Sequence, residues 1–452
     1  MKTKNGLLIS VIAVLFLAGL LKAEVSVTVY NGDLGVIREI RSLNFEKGLG
    51  KVSFTDVPSK IDPTSVGFEL LDKNKSVSIL EQNYAYDLVS PEKIYAKYID
   101  KDIDIIDKEG RIFGGTLLSF SGGSAVLKEK SGKIQIIQMS QIVNVDFPEL
   151  PEGLITRPTL FWLYLSDFAG KAECNVSYQT GGLNWTAEYV GILSEDEKNL
   201  GWTGWSSITN NSGATYKDAT LKLVAGDIHR APKKRGIGRP EYEMLAMSAA
   251  KGVAFEEKEF FEYHLYTLPR KATIADREIK QIALFNPALT NIEKEYYYEP
   301  ERNDKKVRVA LKFENSKASG LGIPLPAGRA RIFKADSDGS MILLGEDRID
   351  HTPKDETVKL TIGYAFDISA EQKIADYERL SDRVEERTYS IELRNHKDED
   401  VTIIVEKRLY GDWEIRNQSH KFEKKDANTI QFMIPVAGNS KEEITFTVRS
   451  SR

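Results

Sequence analysis

The chain has 452 residues, more than one compact core usually serves, so about two to four domains are expected. Hydrophobic residues make up 41% and charged residues 29%, with both signs interspersed, and that balance excludes global disorder. The formal net charge of −5 gives no electrostatic ground for nucleic acid as a partner.

Lys2 and Lys4 precede an apolar stretch from Leu7 to Leu21, broken only by Ser10 and Gly19, and Leu21-Lys22-Ala23 follows. A basic start, a short apolar run and a small residue at the cut predict a secretory signal peptide over residues 1–23, cleaved after Ala23. The alternative is an uncleaved anchor, although the run is shorter than the roughly 20 apolar residues of a spanning helix. Membrane contact is expected only in that case. No cysteine follows the apolar run, which excludes a lipid-modified N-terminal cysteine. The reading is therefore export, to the periplasm, the cell surface or the medium. Cys174 is the only cysteine, so no intramolecular disulfide forms and stability must come from burial. No pattern that would lower its pKa surrounds it, and it reads as a small half-buried hydrophobe rather than a reactive thiol.

Beyond residue 23 period-two alternation dominates, as in Val25–Tyr30, Ala219–Leu223, Val307–Phe313, Val358–Ile362, Tyr389–Leu393 and Ile444–Val448. Such alternation places one row of side chains in a core and the next in water, as in antiparallel sheets. Pro91 to Tyr98 and Ala370 to Val384 are the best helix candidates. The fold class is mainly β: antiparallel β-sandwiches in several domains, with a small SH3-like barrel near the N-terminus. Residues 24–90 read as an N-terminal β domain. Residues 91–150 hold short strands separated by glycine turns, among them a hairpin at Lys130-Ser131-Gly132-Lys133, which suits the barrel. Phe147 to Gly153 reads as a linker because its prolines interrupt pairing. Residues 159–231 begin a long C-terminal β region. Alternation lapses over 232–259, which reads as a flexible insertion, and 260–452 complete the region as one or two sandwiches.

Gly181-Gly182-Leu183-Asn184-Trp185-Thr186-Ala187-Glu188-Tyr189 reverses the chain and then places Trp185, Ala187 and Tyr189 on one strand face. Asn210-Asn211-Ser212-Gly213 follows, with turn chemistry in Asn211-Ser212-Gly213, before Ala219 to Gly226. Together with Ile323 to Ile332, Ile362 to Ile368 and the block from Tyr389 to Leu409, these motifs resemble the bacterial family catalogued as domain of unknown function 4139, with relatives called mucoidy inhibitor A-like. The resemblance covers roughly residues 160–452. It implies an exported β-rich protein and carries over no catalytic residues. The chain departs from relatives that hold a long N-terminal coiled coil, so a role tied to that element is not implied.

Organised chemistry is sparse. The histidines (His229, His264, His351, His396, His420) are dispersed and form no zinc motif, so neither metal nor cofactor is expected. Glu262-Tyr263-His264 reads as a solvated strand edge. Asp336-Ser337-Asp338-Gly339-Ser340 lacks the glycine position and closing glutamate of a calcium loop, and reads as a hairpin turn. No nucleophile elbow or phosphate loop is present, and Gly236-Ile237-Gly238 lacks the rest of a dinucleotide site. The basic cluster Lys233 to Arg239 reads as a solvated loop, and the carboxylates Asp100, Asp102, Asp104 and Asp107 as a solvated acidic stretch. Trp185, Trp202 and Trp205 are the candidate ligand-binding residues, because exposed aromatic faces stack on sugars or partner surfaces. Core packing is the competing reading for all three. The leading expectation is a cell-envelope protein for binding, scaffolding or surface interaction, leaning away from an enzyme. Its partner would be an envelope protein or polysaccharide. The alternative is an envelope hydrolase or carbohydrate-active protein, with carboxylates in an aromatic-lined cleft near Trp185 and Trp202.

Overall fold

The computed structural model describes residues 24–151, 154–226, 228–229 and 255–451. The expected signal peptide, the basic cluster and most of the expected insertion lie outside the described residues. Strands make up 66% of the described residues and helix 2%, in several antiparallel or mixed sheets, which is the mainly-β, multi-sheet class read from the alternation. The described residues divide into two compact units, 24–26 with 37–179, and 27–36 with the described part of 180–451.

In the first unit the strand Thr159–Ser166 lies between Gly48–Thr55 and Val77–Ala85, antiparallel to both. This differs from the expected start of the C-terminal region at residue 159. A strand that is apolar on both faces, Thr-Leu-Phe-Trp-Leu-Tyr-Leu-Ser, pairs where a core needs a centre rather than with its sequence neighbours. Leu160, Trp162 and Tyr164 are buried, and Trp162 packs against Phe54 and Phe68 with ring centroids 5.5 and 5.4 Å away. Leu34–Phe45, Gly170–Thr180 and Ile61–Leu70 run side by side. Cys174 is fully buried there, and burial pushes its thiol up to about 12, so the inert reading fits.

The same unit holds a five-stranded sheet, ordered Ile142–Asp146, Asp102–Asp107, Ile112–Ser121, Ser124–Lys128, Ile134–Gln138. Its two edge strands do not pair with each other among the described residues, so the expected SH3-like barrel is corrected to an open sheet. The expected helix is present at Pro91–Lys97. Ser90 caps it by accepting from the Lys93 amide (3.4 Å), proline opens it, and Glu92 and Lys97 suit its dipole. The helix brings Tyr95 onto Phe120, stacked at 3.7 Å. The expected linker is partly tied down: Phe147 packs edge-on against Tyr98 (4.9 Å), whose hydroxyl donates to the Glu149 carbonyl (2.6 Å).

The second unit contains a six-stranded sheet, ordered Glu278–Ala283, Asn199–Asn210, Leu183–Leu193, Gly328–Ala335, Met341–Ile349, with Ala288–Asn291 also paired to Asn199–Asn210. Leu183–Leu193 and Gly328–Ala335 run parallel, so this sheet is mixed rather than purely antiparallel. Gly182 makes the turn into Leu183–Leu193 at φ +79, where any β-carbon would strike the Asn211 carbonyl. A nine-stranded sheet includes, in order, Ser440–Ser451, Val384–Asn395, Thr357–Arg379, Lys306–Glu314, Glu293–Tyr298, Val401–Arg408 and Thr429–Val436. Its core includes Ile391, Ile403, Phe432 and Phe446, all essentially inaccessible.

The helix expected over Ala370 to Val384 is absent. That stretch continues the strand Thr357–Arg379, with Ala370 opposite Leu393 and Ile374 opposite Tyr389. Pairing with Val384–Asn395 overrides the helical preference of Ala370-Glu371-Gln372-Lys373. The expected insertion is also shorter at its C-terminal end, because Glu256–Phe260 is a strand paired with Tyr263–Thr267.

Buried asparagines close strand ends in the second unit. Asn210 donates to the carbonyls of Ala214 (2.9 Å), Ile274 (3.2 Å) and Ala275 (3.0 Å), while its own oxygen accepts from the Ser212 amide (3.1 Å). Asn395 does the same for Glu399 (2.8 Å), Val436 (3.2 Å), Ala437 (3.1 Å) and the Lys397 amide (3.0 Å). Asn315 donates to Ile323 (2.6 Å) and Pro353 (2.8 Å). Each clamp satisfies carbonyls that the ladder leaves open where strands end.

Candidate functional site

The expected aromatic site is not assembled. Trp185 and Trp202 are fully buried in the second unit, so their faces are occupied by the core. The Trp185 indole donates to the Val224 carbonyl (3.0 Å), and Trp202 lies flat on Tyr189 at 5.2 Å with Phe313 edge-on at 5.5 Å. This corrects both residues from binding aromatics to packing aromatics. Trp205 alone is half-buried, on the opposite face of its strand.

The remaining candidates fall as follows. His264 pairs with Glu257 (2.8 Å) across a hairpin, and no group of metal ligands occurs among the described residues. Asp336 to Ser340 is the expected turn, its carboxylates accepting from the amides of Ser337 (2.7 Å) and Ser340 (2.8 Å). Of the acidic stretch, Asp107 is buried and takes the Arg111 side chain at 2.7 Å.

Strand register in the second unit brings together a surface that no local pattern announces. Leu289 stands opposite Gly201, Gly201 opposite Ile192, Ile192 opposite Phe333, and Phe333 opposite Leu343. Directly paired residues share a face, so this is one apolar row across the outer face of the six-stranded sheet. Leu289, Ile192 and Leu343 are 66%, 48% and 53% exposed, with Gly201 leaving the middle of the row flat. The next row inward is polar and locked: Arg331 holds Glu188 (3.1 Å) and Glu346 (2.8 Å), and Arg329 also holds Glu188 (3.1 Å). Trp205 faces the same way, opposite Glu188.

The opposite face of the same end borders a cavity of about 310 Å³. Leu193, Leu344, Val309, Leu311 and Ile362 give it apolar walls, and Phe366, 98% exposed, stands at its rim beside Tyr364. Its polar groups are Lys294, Lys397 and Tyr296 with Glu197 and Asp367. Lys397 donates to the Tyr296 hydroxyl (3.1 Å). Glu197 sits between Lys294 and Lys334, the latter at 2.6 Å, and the first of these bonds, then the second, brings its carboxyl down to about 2. Burial opposes the charge of Lys294, yet Glu197 and Tyr296 beside it hold its pKa above the ordinary value. Glu197 and Lys294 therefore stay charged through the neutral range and are tied to each other.

Only one local sign of this surface stands in the sequence. Met341-Ile342-Leu343-Leu344 breaks the alternation with consecutive apolar residues, and all of them are exposed. In comparisons with known proteins, no family model and no curated protein matches the chain.

Proposed function

We propose that this is an exported cell-envelope protein that binds a partner through the apolar end of its six-stranded sheet, serving in adhesion or scaffolding rather than turnover. The observation that carries the reading is the apolar row of exposed Leu289, Ile192 and Leu343 with half-buried Phe333, backed on the other face by Leu344 and Phe366. A contiguous apolar surface rimmed by polar residues marks an interaction site, and single exposed hydrophobes do not. Export is supported by the basic-then-apolar character of residues 1–23. The resemblance of residues 160–452 to the domain of unknown function 4139 family supports the same placement and supplies no catalytic role.

The test is fractionation of the producing cell combined with intact-mass measurement. The recovered chain is expected in the envelope fraction, shortened by residues 1–23. Leu343→Lys with Phe366→Ser is expected to move most of it to the freely soluble fraction while its circular dichroism is unchanged. Retention of the double variant at the wild-type level overturns the reading.

A further inference from the structure

We infer that Met341–Leu344 is an acceptor edge for strand addition, and that its occupant is an extended apolar segment of another protein with basic residues at its C-terminal end. The inference rests on the binding role proposed above and specifies its mode and its partner.

Among the described residues the strand Met341–Ile349 is the last of its sheet and pairs only with Gly328–Ala335. Its second half is covered on the outer side: Asp347 accepts from the Thr361 amide (2.6 Å), and Gly345 is pressed so close to the Ile362 carbonyl that no β-carbon would fit. Met341 to Leu344 precede this cover: no described strand is hydrogen-bonded to their outer edge, and Ile362 to Phe366 stand across the cavity from Leu344. Proteins usually guard such an edge with charge, proline or a covering element. Here side chains on both faces of the open segment are apolar and exposed, Met341 and Leu343 on one side, Ile342 and Leu344 on the other. An added strand would extend the ladder and bury both rows together, the mode in which main-chain bonds give affinity and alternate side chains give specificity.

Charge selects the occupant. The turn that leads into this edge carries Asp336 and Asp338, exposed and without an ion-pair partner among the described residues. A strand added antiparallel to Met341–Leu344 places its C-terminal end beside that turn, so basic residues there are matched. A second copy is disfavoured, because antiparallel self-pairing sets Asp336 and Asp338 of one chain toward Glu346 and Asp347 of the other. A lipid surface is disfavoured because the two carboxylates lead the hairpin.

The experiment uses the full mature chain and short synthetic peptides of alternating valine and threonine, titrated by fluorescence anisotropy. The peptide ending in two C-terminal arginines is expected to bind about 5- to 10-fold more tightly than the one with both arginines at its N-terminus. Methylation of alternate backbone nitrogens is expected to weaken binding by about tenfold or more, since it removes the ladder and keeps the side chains. Leu343→Lys is expected to abolish binding, and Asp336→Asn with Asp338→Asn to erase the preference for C-terminal arginines. Both variants alter exposed positions, and an unchanged melting temperature shows that each is folded.

Equal binding of the methylated peptide overturns strand addition and leaves the apolar surface as a docking face. Equal binding of the two arginine placements overturns the charge assignment. Failure to bind any peptide overturns the inference. If that failure comes with binding to phosphatidylcholine vesicles, the occupant is lipid, and if it comes with a Leu343→Lys-sensitive dimer in sedimentation, the occupant is a second copy.

Discussion

Tryptophan carries two meanings at the residue scale, and packing decides between them. Trp202 sits flat on Tyr189 and edge-on to Phe313, with no exposure, so Trp202→Ala should cost about 3–5 kcal/mol in urea unfolding, as large core deletions do. Trp205→Ala, at a half-buried site, should cost about 1 kcal/mol. Comparable losses would show that the two positions are equally packed. Glu197 gives a second prediction at this scale. Its carboxyl lies at about 2 in the fold against 4.5 when free, because Lys294 and Lys334 bind the ionised form. The unfolded chain thus takes up the proton first as pH falls. The stabilisation is complete above about 4.5 and is lost progressively toward about 2. Glu197→Gln should flatten the acid limb of stability between those values. Superimposable acid limbs for variant and wild type would mean that the ion pairs contribute nothing.

Among elements, the strands were legible because period-two alternation is written locally, residue after residue. The helix expected over Ala370 to Val384 shows the limit: its local propensity was real, but pairing with Val384–Asn395 along one edge claimed the backbone. The apolar row was illegible for a related reason. Leu289, Ile192, Phe333 and Leu343 are distant in sequence and meet only through register, which includes a parallel pairing. What the sequence did show was Met341-Ile342-Leu343-Leu344, a run that alternation cannot explain, standing directly after the Asp336 to Ser340 turn. The asparagine clamps were half-legible, since Asn211-Ser212-Gly213 reads as a turn while Asn210, one position earlier, closes the strand end. Replacing Asn395 by alanine removes several buried hydrogen bonds at once and should cost about 2–4 kcal/mol by thermal or urea unfolding. Asn395→Asp should be no better, because it turns a carboxylate toward the carbonyls of Glu399, Val436 and Ala437. A cost below about 1 kcal/mol for Asn395→Ala would mean that water replaces the clamp without penalty.

For the whole molecule, the second unit is discontinuous, built from residues 27–36 and 180–452. The short piece is firmly held. Asn31 donates to the Trp185 carbonyl (3.1 Å), Asp33 accepts from the Gly182 amide (2.7 Å), and Val27 and Val29 are fully buried. A fragment of residues 180–452 alone should therefore melt well below the intact unit, short by roughly 3–6 kcal/mol of apolar burial. A synthetic peptide of residues 24–36 should restore much of that loss in trans, read as a rise in melting temperature with peptide concentration. No rise with the peptide would show that the segment is dispensable. The same split places a clock on biogenesis. During synthesis residues 27–36 emerge first and must wait for everything up to Thr180 and beyond, a delay on the order of 10 s at ordinary elongation rates. Throughout that interval the strand Glu24–Tyr30 has its sequence neighbour Leu34–Phe45 beside it but lacks its other partner, Tyr216–Ala225. Guarding that one open edge until Tyr216–Ala225 arrives is the kind of task that falls to a chaperone, and the length of the wait follows from the order of the chain alone.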